Sequence, residues 1–449
     1  MKTKILYSCG SFSTTLAYQT FTTLIFFFYV DALKLDPALV GIGWAVYGLW
    51  NAVNDPLAGY LGDRTRTRWG RRIPYMAFGA LPLAIFFALL WTPPFRVEAG
   101  QNWLLFVYFL VIIFCFDTLW TLVALNYTAL FPEMFTTVGD RAQVSAWRQI
   151  FNVAGVFCAM GLSPLIYSIW GWPTLGLLYG LLIVVGLFLT VKVSHERPEF
   201  SQEPSLSFIE GLRATLVNRA FLAFIGTLIF IWLGFQMIQA MIPFFAAYVL
   251  LIPKSEPLKV SMLLALPLIV VLPTLPLWRY GAIRWGASTA LGWAIIAFAL
   301  ALPPLFFVHD FFGAVIALGF LGVGLGGLWL LPDLLIADII DEDELKTGVR
   351  REGLYFGMNG LLIRFAFTLQ GLIIGAVFVW TGYQADQVQQ APQALWGLRL
   401  LIAGVPILAL GLSWLMLRFY TLRGERLNIM KEQLKKLHAQ KAERLVKRL

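Results

Sequence analysis

The chain has 449 residues, of which 59% are hydrophobic and only 13% charged, with a formal net charge of +9. A water-soluble domain cannot bury that much apolar surface, so the composition excludes a soluble fold and points to a polytopic membrane protein. The positive charge does not indicate nucleic acid, because it is sorted by position along the chain.

Crossing ~30 Å of hydrocarbon takes about 20 apolar residues. Twelve runs meet that need: 5–30, 39–61, 75–92, 103–130, 143–166, 173–191, 221–250, 260–278, 287–308, 312–337, 353–380 and 395–417. The first run lacks an A-x-A-like cleavage site and is read as a retained span, not a signal peptide. With both termini inside, Lys and Arg gather on the inner loops. Only Lys34, Arg96, Lys254 and Lys259 lie outside, while Arg364 and Arg399 fall within spans. That bias predicts a multi-pass protein of the cell (inner or plasma) membrane with both termini cytoplasmic. Cys9, Cys115 and Cys158 lie in apolar runs and suggest no disulfide framework; with His195, His309 and His438 they form no metal-ligand spacing.

In chain order, the first span carries Ser8, Ser11, Thr15, Tyr18 and Thr22 at steps of three and four, with Thr14 and Gln19 adjoining. Such a stripe either lines a watery cavity or packs helix on helix. The second span places Asn51, Asp55, Gly59 and Asp63 on one face. It runs into the loop Asp63-Arg64-Thr65-Arg66-Thr67-Arg68-Trp69-Gly70-Arg71-Arg72, where a turn holding an acid among guanidiniums is expected. The fourth span holds Asp117 and Thr121 on one face, then Asn126-Tyr127-Thr128 and Pro132-Glu133. Asp140-Arg141 follow, and Arg148 and Asn152 share a face of the fifth span.

Residues 192–220 are the only long polar break and divide the spans six and six, the pattern of two repeated halves. The expected divisions are an N-terminal bundle at 1–192, an inter-bundle loop at 193–220, a C-terminal bundle at 221–419 and a basic tail at 420–449. In the seventh span Trp232, Gln236, Gln239 and Pro243 form a second polar stripe. The glycines of the tenth span suit close helix packing. Its end is dense in charge, from Asp338 to Arg351, and the tail reads as an amphipathic helix lying on anionic lipid.

Ionisable groups inside spans are the informative residues, since each costs about 2.5–3.5 kcal/mol on insertion scales. Asp55, Asp117, Arg148 and Arg364 are the clearest. A desolvated Asp suits proton coupling. An ionised carboxylate with neutral oxygens from Asn51 and Thr121 suits Na⁺. For Asp117 and Arg148, a structural ion pair between helices is an equal alternative.

Three stretches together resemble the glycoside–pentoside–hexuronide:cation symporters, the melibiose-permease-like branch of the major facilitator superfamily. They are N-D-P-L-A-G-Y-L-G-D-R-T-R-T-R-W-G-R-R-I-P-Y at 54–75, D-T-L-W-T-L-V-A-L-N-Y-T-A-L-F-P-E at 117–133, and A-D-I-I-D-E-D-E-L-K-T-G-V-R-R-E-G-L-Y-F-G at 337–357. The resemblance implies an all-α fold of twelve transmembrane helices in two six-helix bundles, with a cation site on helices two and four and a sugar site between the bundles. Asp55 matches one of the family's cation carboxylates, Thr121 its helix-four hydroxyl, and Arg148 its helix-five arginine; Arg364 stands for a helix-eleven lysine. Asn51 occupies the place of the first cation aspartate, Thr14 and Thr15 that of a Lys-Asp pair, and Ala124 that of a sugar aspartate. With those acids gone, Arg148 and Arg364 are expected to leave a cavity of positive charge that favours an anionic or weakly polar solute.

The resulting expectation is a secondary active transporter, symporting H⁺ or Na⁺ with a sugar-like or glycoside/uronide solute by alternating access. Alternatives are transport of an anionic amphiphile such as a lysolipid, or a non-transporting sensor or scaffold on the same fold. The cation set is Asp55, Asn51 and Thr121. The substrate set is Thr14, Thr15, Tyr18, Asp117, Tyr127, Arg148, Asn152 and Arg364. The gating set is Asp63, Arg64, Gly70, Arg71, Arg72, Glu133, Arg141, Asp338 and Arg351. Partners are the solute and the bilayer, without nucleic acid; the oligomeric state is left open, a monomer being plausible, and no cofactor beyond the coupling ion is implied. An enzyme is disfavoured by the lack of a nucleophile–base pair, metal cluster or phosphate-cradling loop, and a channel by the lack of a pore-lining repeat.

Overall fold

A computed structural model describes residues 1–94, 102–135, 137–196, 215–348, 351–385, 387 and 389–446. Twelve long helices fill it. They are α1 (Lys2–Phe26, continuing as a π turn to Ala32), α2 (Pro37–Arg64), α3 (Ile73–Leu90), α4 (Asn102–Met134), α5 (Val138–Phe157, continuing to Trp170) and α6 (Trp172–Val193). After residues 197–214, which lie outside the described residues together with most of the expected inter-bundle loop, come α7 (Arg219–Phe244, continuing to Val249), α8 (Pro257–Trp285) and α9 (Ala287–Leu300). They are followed by α10 (Phe311–Thr347), α11 (Glu352–Ile363 and Phe365–Thr381, interrupted at Arg364) and α12 (Pro392–Arg399, continuing to Arg418).

Local chemistry sets the helix ends. Asp36, Thr137, Asn218 and Asp310 accept hydrogen bonds from the first free amides of α2, α5, α7 and α10. Proline opens α2, α8 and α12, where its missing N–H costs nothing. Ten helices are long and apolar enough to cross a membrane by composition alone. α1 and α2 have the length but not the hydropathy, because α1 carries the hydroxyl stripe and α2 carries Asn51, Asn54 and Asp55.

Within the first half, α1 packs on α5 and α6, α3 on α4 and α6, and α2 on α4. In the second, α7 packs on α12, α8 and α9 on α10, and α11 on α7. The halves meet through α2 against α11, α1 against α7, and the far end of α5 against α8. The α2–α11 seam is backbone-close: a Cβ at Gly41 would stand 2.6 Å from the Gly371 carbonyl, and one at Gly371 would stand 2.8 Å from the Gly41 carbonyl. Glycine on both helices is what allows this approach. Toward the face away from the termini, Asp31 accepts hydrogen bonds from Tyr248 and Tyr383, and Lys34 donates to the Ala385 carbonyl. The halves are therefore latched at that face.

A last helix, α13 (Gly424–Val446), does not match the expectation of a tail lying freely on lipid. It packs against α10, with Met430 and Leu434 buried. Arg426 pairs with Glu342 and Lys431 with Asp338, each at 3.1 Å. The acids at the end of α10 are the stronger local attraction for a basic helix tethered beside them.

Candidate coupling site

Four helices converge where α11 is interrupted. At Arg364 the helix tightens, with its N–H reaching the Leu361 carbonyl and its carbonyl accepting from Phe367. Its guanidinium crosses to the other half. Nε and Nη2 donate to Oδ2 of Asp55 on α2 at 3.3 and 3.1 Å, and Nη1 donates to the Tyr18 hydroxyl on α1 at 2.7 Å. Tyr18 is held by stacking on Trp120, at 4.3 Å between ring centroids, and Trp120 donates to the Thr14 carbonyl. Oδ1 of Asp55 accepts from the Thr121 hydroxyl at 3.3 Å. Pro56, next in sequence, removes the helix hydrogen bond that the Ala52 carbonyl would receive, loosening α2 at this level.

Asp117 on α4 lies in a separate nest. It accepts from the Asn51 amide at 2.6 Å, the Asn54 amide at 3.0 Å and the Tyr47 hydroxyl at 3.2 Å. It is fully buried. Asn51 and Asn54 are buried with it, and Oδ1 of Asn51 has no hydrogen-bond partner among the described residues.

These contacts correct two expectations. Arg364 is not an uncompensated cavity charge, because Asp55 supplies the carboxylate that the altered α1 and α4 positions lack. Asp117 and Arg148 do not form an ion pair with each other. Arg148 instead lies over the rings of Tyr127 and Phe131, at 4.9 and 4.8 Å to their centroids, and its Nε has no hydrogen-bond partner among the described residues. Tyr127 stacks on Tyr7, whose hydroxyl donates to the Tyr127 carbonyl.

The remaining substrate-set residues are dispersed. The Thr14 hydroxyl turns back to the Gly10 carbonyl of its own helix. Thr15 packs toward Gly155 at the α1–α5 contact, and Asn152 is half-buried one turn from Arg148. On α7, Gln236 and Gln239 are buried, and the Gln239 amide reaches Met160 of the other half.

At the face of the termini, the arginine loop holds an acid from elsewhere in the chain. Glu196, after α6, accepts from the backbone N–H groups of Arg71, Arg72 and Ile73 at 2.7, 2.6 and 2.8 Å. Gly70, at φ +104°, allows that approach; a Cβ there would collide with the Glu196 carboxylate. Glu133 takes Arg71 and Arg72 together, at 2.7 and 2.8 Å. The side chain of Asp63 lies outside the described residues, and Arg64 is exposed at the end of α2. Arg141 closes α4 by donating to the Phe135 and Pro132 carbonyls. Arg351 forks onto Asp343 at 2.6 and 2.8 Å, not onto Asp338. Glu196, Asn54 and Tyr47 escaped sequence reasoning. Asn54 adjoins Asp55 in sequence and carried a signal; Glu196 sits in a polar stretch with none.

The family model described as MFS/sugar transport protein matches residues 6–424. The chain belongs to that family. Its relatives include the isoprimeverose transporter of Lactiplantibacillus pentosus, 26% identical over 92% of this chain and 87% of the relative. The sodium-dependent lysophosphatidylcholine symporter 1-A of Danio rerio is 24% identical over 93% and 86%. The crystal structure of nucleoside transporter NupG matches with a TM-score of 0.69 at 15% identity, covering 94% of this chain and all of that one, a likeness of fold. This is a multi-pass membrane transporter of the glycoside–pentoside–hexuronide:cation symporter type, with the twelve-helix major facilitator fold.

Proposed function

We propose that this symporter drives uptake of a sugar-like solute, a glycoside or uronide, with a cation that competes with Arg364 for Asp55. The observation that carries this is the Asp55–Arg364 pair, one carboxylate shared between two halves at 3.1 Å. A cation arriving at the α2–α4 interface adds positive charge beside Asp55 and weakens its hold on Arg364. The Thr121 hydroxyl and the unbonded Asn51 oxygen supply neutral ligands for Na⁺; protonation of Asp55 would have the same electrostatic result for H⁺. Arg364, with Tyr18, is then released toward solute hydroxyls or a solute carboxylate, which a planar guanidinium binds in a fork. Cation and solute thus favour each other's binding, as symport requires. Arg148, with Tyr127 and Asn152, offers a second donor surface on α4 and α5, where aromatic faces suit a sugar ring.

Several features support placing both termini in the cytoplasm and reading this conformation as open toward them. Lys and Arg concentrate on the loops of that face, and the latch at Asp31 and the α2–α11 seam closes the other. The two bundles, 1–192 and 221–419, would rock about the Arg364 level. The ion pairs at Glu133 and Asp343, each formed within one bundle, would hold the loop ends through the cycle. No bond is made or broken and no cofactor enters.

Reconstitution into liposomes tests this directly. Labelled glycosides, uronides and a lysophospholipid are offered under imposed Na⁺ or H⁺ gradients, with wild type and Asp55→Asn compared. Wild type should accumulate a glycoside or uronide under one gradient, and Asp55→Asn should only equilibrate it. Accumulation of the lysophospholipid alone would replace the solute class, and unchanged uphill uptake by Asp55→Asn would overturn the coupling assignment.

A further inference from the structure

Apart from the Asp55–Arg364 site, the arginine loop and the α3–α6 surface form one continuous feature. At the face of the termini a cleft of about 590 Å³ is lined by Arg66, Arg68, Trp69, Arg71, His195 and Glu196, among others. Immediately below, between α3 and α6, runs a groove of about 740 Å³ walled by Phe78, Leu81, Val185 and Phe188. Trp69 and Ile73 line both. Trp69 stacks on Phe78 at 5.3 Å with an interplanar angle of 12°, so the wall passes from one to the other without a step.

We propose that this feature is a binding site for an anionic glycerophospholipid of the leaflet on the side of the termini, with the headgroup phosphate in the cleft and an acyl chain in the groove. The chemistry changes along the feature as it does along such a lipid. Arg66 and Arg68 are exposed at the mouth, and the Arg68 guanidinium lies 5.6 Å from the Trp69 ring centroid. Guanidiniums bind phosphate in a fork, and an indole belongs at the level of the headgroups. Glu196, the one acid among the described residues of the lining, turns its carboxylate to three backbone N–H groups at the start of α3. Arg71 is engaged by Glu133. Arg66 and Arg68 are the exposed arginines of the lining, where an anionic headgroup would arrive. Phe78, Leu81 and Phe188 are each more than half exposed, so the groove presents apolar surface along about 12 Å of the two helices. Phosphate contact without the groove would describe a soluble anion, and the groove alone any lipid. Their continuity selects a molecule carrying both.

The full chain, purified and delipidated in detergent, is titrated with phosphatidylglycerol, phosphatidylcholine and soluble glycerol phosphate, with bound molecules counted by native mass spectrometry. Phosphatidylglycerol should bind in preference to phosphatidylcholine, and glycerol phosphate should fail to compete. Arg66→Ala with Arg68→Ala should reduce the preference about thirtyfold, at roughly 1 kcal/mol per basic residue near an anionic surface. Ala77→Trp, which fills the groove and leaves the arginines in place, should weaken both lipids. The pair Lys435→Ala with Lys436→Ala, on the exposed side of α13, should change nothing. Equal binding of the two lipids, full competition by glycerol phosphate, or an equal loss in the α13 pair would each overturn the proposal. Should the double arginine variant fail to fold, Ala77→Trp decides alone: undiminished phosphatidylglycerol binding by it refutes the site.

Discussion

Asp55 and Asp117 face each other across the α2–α4 interface, yet their surroundings differ in kind. Asp55 is shared with the other half of the molecule through Arg364, and its charge is balanced by a charge. Asp117 is held within its own half by two amides and a hydroxyl, all neutral. A carboxylate bound to a cation on a moving partner changes its environment when the halves part. One wrapped in neutral donors from its own bundle keeps its environment. Of the two acids, Asp55 is the one bonded to the other half, which is why the proposed coupling rests on it.

The largest expected effect tests that difference at Asp55. Asp55→Asn should bring uphill accumulation to the passive baseline while exchange of solute across the membrane continues, measured as counterflow in liposomes. Arg364→Ala comes next. It leaves the partly buried Asp55 without its cation, at a cost below the ~3–5 kcal/mol of a fully buried pair. Thermal unfolding should show the loss, Arg364→Lys should recover part of it, and Arg364→Ala combined with Asp55→Asn should be more stable than Arg364→Ala alone. A double-mutant cycle between Arg364 and Asp117 should give a much smaller coupling than the one between Arg364 and Asp55; equal couplings would erase the distinction.

Gly41→Val tests the seam on which Arg364 rides. The added side chain meets the Gly371 carbonyl and should disfavour the closed seam by about 1–3 kcal/mol, the usual cost of overpacking. Accessibility of Ala38→Cys, which lies against Gly375 at the seam, to a membrane-impermeant thiol reagent, on a background with the native cysteines removed, should rise accordingly. The smallest effect belongs to Tyr383→Phe, which removes one donor from Asp31 while Tyr248 remains; a loss of about 1.5 kcal/mol is expected, the low end for a hydrogen bond to a charged group, because the carboxylate keeps its other donor. A larger shift than that of Gly41→Val would make the latch, not the seam, the principal closure.

Much of this molecule can be read from its sequence because a bilayer imposes strict rules. Apolar length gave the spans, and the two that fall short of strict hydropathy, α1 and α2, are the two with polar stripes that enter the site. The energetic cost of a charge in hydrocarbon singled out Asp55, Asp117, Arg148 and Arg364, and each of them makes a specific contact. What those contacts are was not legible. Thr14 and Thr15 held places in the expected substrate set, but the Thr14 hydroxyl is spent on its own helix and Thr15 packs toward α5. Asp338 and Arg351 stood together in the gating set, whereas the fold gives Arg351 to Asp343 and Asp338 to Lys431 of the tail. The arginine loop also holds an acid that no local spacing announces: Glu196 arrives from more than a hundred residues away.

The sequence by itself determined the class, the spans and the family, and which residues had to be explained: these follow from hydropathy, cost of burial and local motif, all of which act along the chain. Tertiary structure alone decided the partners. Asp55 is balanced by Arg364, 309 positions later, Asp117 by neutral donors, and Glu196 by the start of α3. Electrostatic compensation depends on distance in space, falling off over a few ångströms in a low-dielectric interior, and no spacing along the chain encodes that distance.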